Sequence, residues 1–134
     1  MSQNNTKNVR VKIIQKLYGS MLNPGEIIEY PKSQYKKFIK DVVQGTIERN
    51  ELIIETIQKN LLNDIDLKKS DKLLKIIIFS AIFELMFKHN NPKKVIISEY
   101  LKASEYFLEK GQIKYLNAIL DKIANKIRND NIRK

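Results

Sequence analysis

Cysteine is absent from the 134 residues. Disulfides and thiolate metal sites are thereby excluded, and a reducing compartment is compatible. Histidine occurs once, at position 89. Zinc and di-iron centres draw on several His, Cys or inward carboxylates, and the Glu-x-x-His spacing of di-iron bundles is missing. The four glycines, 19, 25, 45 and 111, are isolated, so neither common phosphate-cradling loop is present. The opening residues are polar and carry no apolar h-region, so no secretory signal is expected. The acids form no obvious dyad. Neither a cofactor nor an enzymatic activity is expected. His89, at a predicted helix end, reads as a solvated residue favoured there by the helix dipole.

Negative charge is also scarce: 15 Asp and Glu stand against 25 Lys and Arg, for a formal net charge of +10. The excess is uneven. Residues 1–50 balance to +5, residues 51–85 to −1 and residues 86–134 to +6. A basic surface of this size attracts polyanions, nucleic acid first among them. A Lys-, Ile- and Asn-rich composition also arises from codon bias and solubility, and charge alone does not choose between the two.

What the chain has instead is helical periodicity. Leu73 to Phe87 is almost wholly apolar, with only Ser80 and Glu84 polar after Ile76. A helix apolar all round must be covered on every side, and this one is too short for the roughly 20 residues of a membrane span. It reads as a central helix, running to His89. Before it, Ile13, Ile14, Leu17, Tyr18, Met21 and Leu22 form a stripe that stops at Asn23-Pro24-Gly25. Tyr35, Phe38, Ile39, Val42 and Val43 form a second, with Ser33 as its N-cap. Gly45 marks a close approach or a break. Asn50 caps a third segment to Leu62, with Ile54, Ile57 and Leu61 inward. Residues 63–66 are a loop or a helix start. Asn91 and Pro92 suit an N-cap and first position for a helix carrying Val95, Ile96, Leu101, Ala103, Phe107 and Leu108. Gly111 ends that helix or starts the next. The last places Tyr115, Leu116, Ile119, Leu120, Ile123, Ala124 and Ile127 on one face. No strand pattern appears. The fold expected is all-α, a single-domain bundle of about six to seven helices. A polar arm over 1–8 precedes the domain at 9–128, and a polar tail follows at 129–134. Glu84 reads as structural, at the bundle surface or paired to a Lys or Tyr.

Two stretches are more specific. Pro92-Lys93-Lys94-Val95-Ile96-Ile97-Ser98-Glu99-Tyr100-Leu101-Lys102-Ala103-Ser104-Glu105-Tyr106-Phe107 resembles the pattern P-x-K-V-x-I-N-E-A-x-E-L-A-K-x-F. Lys114-Tyr115-Leu116-Asn117-Ala118-Ile119-Leu120-Asp121-Lys122-Ile123-Ala124 resembles K-F-V-N-G-V-L-D-K-x-A. These are signatures of the NusB family of bacterial transcription antitermination factors. Phe83-Glu84-Leu85, Phe38 to Gly45 and Gln15-Lys16-Leu17-Tyr18 are similar to its other motifs, in the same order. Phe79 stands where the family usually carries an arginine, and the family's arginine-rich stretch is reduced here to Lys7 and Arg10.

The resemblance implies two packed helical halves and no catalysis. It implies a cytoplasmic, membrane-free protein that binds boxA-type single-stranded leader RNA together with NusE, the small-subunit ribosomal protein. The pair serves the RNA polymerase antitermination complex on ribosomal RNA operons. On that reading one basic surface joins the N-terminal arm to the start of the last helix. Lys7, Arg10 and Lys114 neutralise phosphates, Lys12 and Lys16 add charge, and Asn117 reads a base edge. Tyr18 and Tyr115 are further candidates for RNA or partner contact, although their place on apolar stripes favours the core. The alternative is a protein-interaction adaptor of the same fold with weakened RNA binding.

Overall fold

The computed structural model describes residues 8–61, 63–65 and 70–128. Among them are six helices and no strand: α1 (Val9–Leu22), α2 (Lys36–Glu48), α3 (Asn50–Leu61), α4 (Lys72–Phe87), α5 (Lys93–Ser104) and α6 (Lys110–Ile127). The all-helical bundle expected from the periodicity is what forms. Of the expected polar ends, residues 1–7, Lys7 included, and 129–134 lie outside the described residues, as does the expected end of the third segment at Leu62.

Helix α4 packs against each of the other five. Its ten residues from Leu74 to Leu85, less Lys75 and Ile76, are buried, which the lack of a polar face requires. Asp71 starts it, its carboxylate accepting the Leu74 N–H at 3.0 Å. Arg128 finishes it. That side chain is only 3% exposed, and it donates to the carbonyls of Leu85, Lys88 and Asn91 at 2.9, 2.8 and 2.6 Å. A cation on the last carbonyls satisfies orphan acceptors and complements the dipole.

Two contacts at each end fix directions. Arg10 in the first turn of α1 meets Glu84 late in α4, while Tyr18 lies beside Leu73, so α1 runs antiparallel to α4. Gln112 early in α6 lies beside Asp71 and Lys72, and Arg128 meets Leu85, so α6 runs parallel to α4.

Helix boundaries depart from expectation in small, explicable ways. Ser33 does not cap α2; its hydroxyl accepts the Tyr35 N–H one residue before the helix begins. Gly45 breaks nothing, since α2 runs past it; it marks the close approach instead, because a side chain there would overlap the Phe83 ring. Asn50 is the first residue of α3 rather than its cap, with Arg49 alone between α2 and α3. Pro92, not Asn91, is the N-cap of α5. Helix α4 ends at Phe87, short of the exposed His89. Gly111 lies in the first turn of α6, which begins with a capping box between Glu109 and Gln112. Leu22 and Val95 are 58% and 47% exposed, off the core faces assigned to them. Ile53 rather than Ile54 is the fully buried member of the α3 stripe. Among the described residues, only Gly25 takes a positive φ, +91°, closing the turn after α1 where a side chain would be strained.

Candidate nucleic-acid interface

Helix α1 turns one basic edge outward. Lys12 and Lys16 are four apart and therefore on one face. Both are partly exposed, and neither ammonium has an acidic partner among the described residues.

Helix α6 presents a second edge. Lys110, Lys114 and Asn117 repeat at four and three residues, all exposed, on a flank about 120° round the helix from the buried Leu116, Leu120 and Ile123. The two lysines have no acidic partner among the described residues. Farther round the helix, α6 is bonded to Asp64. Tyr115 donates its hydroxyl to the Asp64 carbonyl at 2.9 Å, and Lys122 reaches the carboxylate at 2.7 Å. Tyr115 is thus 37% exposed with its hydroxyl engaged, not core. Burial, then the nearby Asp64 charge, holds its phenol above the ordinary tyrosine range.

Between the later half of α1 and the start of α6 lies an open cleft of about 500 Å3 bordered by Tyr18, Asp71, Lys72, Leu73, Phe107, Glu109 and Gln112; Lys16 borders a different depression, with Gly19, Asn23 and Glu26. Tyr18 is 38% exposed, so the stripe reading that put it in the core is corrected. Leu17, one position earlier, takes the core contact, and the Tyr18 ring stands about 100° round the helix from it. An apolar groove of about 230 Å3 lies elsewhere on α1, lined by Leu17, Met21, Ile47, Ile76 and Phe79 among others.

Arg10 is placed differently from the lysines. Its Nη2 is 2.5 Å from one Glu84 oxygen and its Nε donates to the other at 3.1 Å. The two side chains are 11% and 0% exposed. The guanidinium also lies over the Phe38 ring, 4.9 Å from its centre. Burial works against its charge, but the hydrogen bond to and charge of Glu84 outweigh that and raise its pKa further. Tyr100, fully buried, donates to Glu84 and shares a 2.6 Å hydrogen bond with Ser80. The phosphate role expected of Arg10 is therefore replaced by an internal one. The expected pairing of Glu84 to a tyrosine forms, and the arginine joins it unexpectedly.

The single surface expected from the arm to α6 is not assembled at Arg10. Arg10 sits level with Glu84, and the start of α6 sits level with Lys72. At 1.5 Å per residue of α4 these levels are ~18 Å apart along its axis. What the fold does bring near the start of α6 is the later half of α1, through the cleft. Lys72, Lys110, Phe107 and Gln112 were missed in the sequence. The Glu109-x-x-Gln112 spacing, a helix-start signal, would have placed the last three beside one another.

Among the described residues no helix is long and apolar enough to cross a membrane. The NusB family model matches residues 4–125. The transcription antitermination protein NusB of Mesorhizobium japonicum is 29% identical over 94 residues, covering 70% of this chain and 61% of that protein. That of Nitrobacter hamburgensis is 31% identical over 91 residues, covering 68% and 57%. The chain spans about three-fifths of the length of these curated relatives. A solved structure of T. maritima NusB shares the fold, with a TM-score of 0.75 at 20% identity over 88% of this chain and 89% of that one.

Proposed function

The chain belongs to the NusB family, whose model spans nearly all of it, and on that premise we propose that it is an RNA-binding transcription antitermination factor. It binds boxA-type single-stranded leader RNA together with NusE and promotes read-through of ribosomal RNA operons by RNA polymerase in the cytoplasm. It acts by binding, not by catalysis. The observation that carries the RNA reading is the presence of two lysine edges, Lys12 with Lys16 on α1 and Lys110 with Lys114 on α6, together with an exposed tyrosine, Tyr18. None of the four has an acidic partner among the described residues. Lysines position a phosphate backbone, and exposed amides and aromatic rings meet splayed bases. Asn117 stands exposed on the α6 edge, where its amide can meet a base. Lys7 completes the set from outside the described residues.

The test is binding of boxA-type and scrambled RNA, with and without NusE, across a salt series. The expected result is preference for boxA-type RNA, strengthened by NusE. Affinity should fall with salt at a log–log slope of about −0.7 per phosphate contacted. Equal affinity for scrambled RNA in the presence of NusE refutes the assignment.

A second reading, a protein adaptor of the same fold with weakened RNA binding, is favoured by the withdrawal of Arg10 into the bundle and by the apolar groove at Phe79 beside the 42% exposed Ile47. NusE binding without any RNA preference would select it.

A further inference from the structure

Resting on the RNA-binding reading above, we propose that a second phosphate-binding stretch runs along the flank of α6 to Lys93 and Lys94 at the start of α5, and holds nucleotides that lie outside the boxA-type element. The helical period sets the path. At 100° per residue Lys110, Lys114, Asn117, Asp121 and Asn125 fall within ~80° of one another, and at 1.5 Å per residue they span ~22 Å along the axis. All five are exposed. Lys93 joins the far end: its ammonium donates to the Asn125 side-chain oxygen at 2.9 Å. Lys94, next to it, is exposed and has no acidic partner among the described residues. The flank thus has a cationic start, a cationic end and two amides between them.

That composition suits the backbone of an extended single strand. Lysines neutralise phosphates without reading sequence, and the Asn117 and Asn125 amides can donate to phosphate or sugar oxygens between them. The other occupant that lysines fit is an acidic segment of a protein partner. Such partners anchor on large, buried side chains, and this flank offers them no apolar surface: Ala118, at its edge, is the exposed apolar residue there. Asp121 is the one acid on the flank, with no basic partner among the described residues. It opposes any phosphate beside it, so its removal should strengthen binding.

The experiment compares boxA-type RNA alone with the same RNA lengthened by a short oligouridine on its 5′ or its 3′ side. Each is bound, with NusE present, to the wild-type chain, K93E/K94E and D121N across a salt series. Lengthening on one side should raise wild-type affinity about tenfold at low salt and steepen the log–log slope by about 1.4, two phosphates at about 0.7 each. K93E/K94E should lose both the gain and the added slope, while binding boxA-type RNA alone within about twofold of wild type. D121N should bind the lengthened RNA about twofold tighter than wild type does. Both variants should keep the wild-type melting temperature, because glutamate suits the first turn of a helix and Asp121 is exposed. No gain from either extension, or a gain that K93E/K94E keeps, overturns the second stretch while RNA binding itself stands. Binding of a polyglutamate peptide that K93E/K94E abolishes, with no gain from either extension, overturns it in favour of an acidic protein partner. Equal wild-type affinity for scrambled and boxA-type RNA overturns the RNA reading beneath it.

Discussion

Arg10 and Glu84, 74 positions apart in sequence, form a two-pronged ion pair between α1 and α4 with almost no exposure to solvent. A buried pair of this kind contributes little over a well-packed apolar pair, yet removing one partner strands a charge in the interior at a cost of about 3–5 kcal/mol. R10M and E84Q should each lower stability by roughly that amount, with E84Q also costing Tyr100 its charged acceptor. The double variant R10M/E84Q should recover much of the loss. Urea unfolding of the three variants checks this. Additive losses in the double variant would show that the two groups do not act as a pair.

Gly45 and Phe83 set the distance between α2 and α4. A methyl at position 45 would overlap the Phe83 ring, and the ring has little room to retreat, being 6% exposed and close to Phe87 at 5.0 Å between centroids. Overpacking costs about 1–3 kcal/mol, against a gain of up to about 1 kcal/mol for alanine over glycine in a helix. G45A should therefore be less stable than wild type, and adding F83L should relieve it. A G45A chain with a raised urea midpoint would refute the close approach.

The bundle was legible because period and burial agree. The α4 run has no polar side to expose, and the stripes of α2, α3 and α6 buried most of what they promised. The site was less legible, because a stripe does not say how wide the covered face is. Tyr18 and Tyr100 show this. Both fall beside apolar residues, but Tyr18 is at the edge of a helix with open space beside it, while Tyr100 is sealed by α1 and α4 and satisfied by Glu84 and Ser80. Arg10 shows the same difficulty in reverse, and Arg128 drew no reading at all. A charge near a polar chain end reads as solvated until the tertiary fold brings a carboxylate or a helix terminus to meet it. Sequence periodicity carries no information about such partners tens of residues away.

The Tyr100 phenol makes stability depend on alkaline pH. Burial, then the Glu84 carboxylate, holds its pKa well above the ordinary tyrosine value. The folded chain therefore keeps this proton after the unfolded chain releases it. The contribution is whole below the unfolded value of about 10 and is lost as pH rises beyond it. Tyr30 and Tyr115, also raised, add smaller effects of the same sign. The urea midpoint should fall as pH rises from about 9 to about 11. Y100F, though less stable throughout for want of a donor to Glu84, should fall less steeply. Parallel slopes would assign the alkaline loss elsewhere.

The exposed lysines and the buried arginine should separate cleanly in their effects on RNA. Lys12, Lys16, Lys110 and Lys114 have no acidic partner among the described residues, so charge reversal removes little folding energy, within about 0.5 kcal/mol each at the exposed Lys110 and Lys114 and somewhat more at the partly exposed Lys12 and Lys16. It removes phosphate neutralisation instead. K12E/K16E and K110E/K114E should each weaken boxA-type RNA binding and make its salt dependence shallower, by about 0.7 in log–log slope for each phosphate no longer neutralised, with the melting temperature nearly unchanged. R10M should do the opposite, lowering the melting temperature while leaving the salt slope of the folded fraction as it was, because its guanidinium is spent on Glu84. A salt slope that drops in R10M but not in the lysine reversals would place the RNA at the α1 start and the far end of α4, away from the cleft.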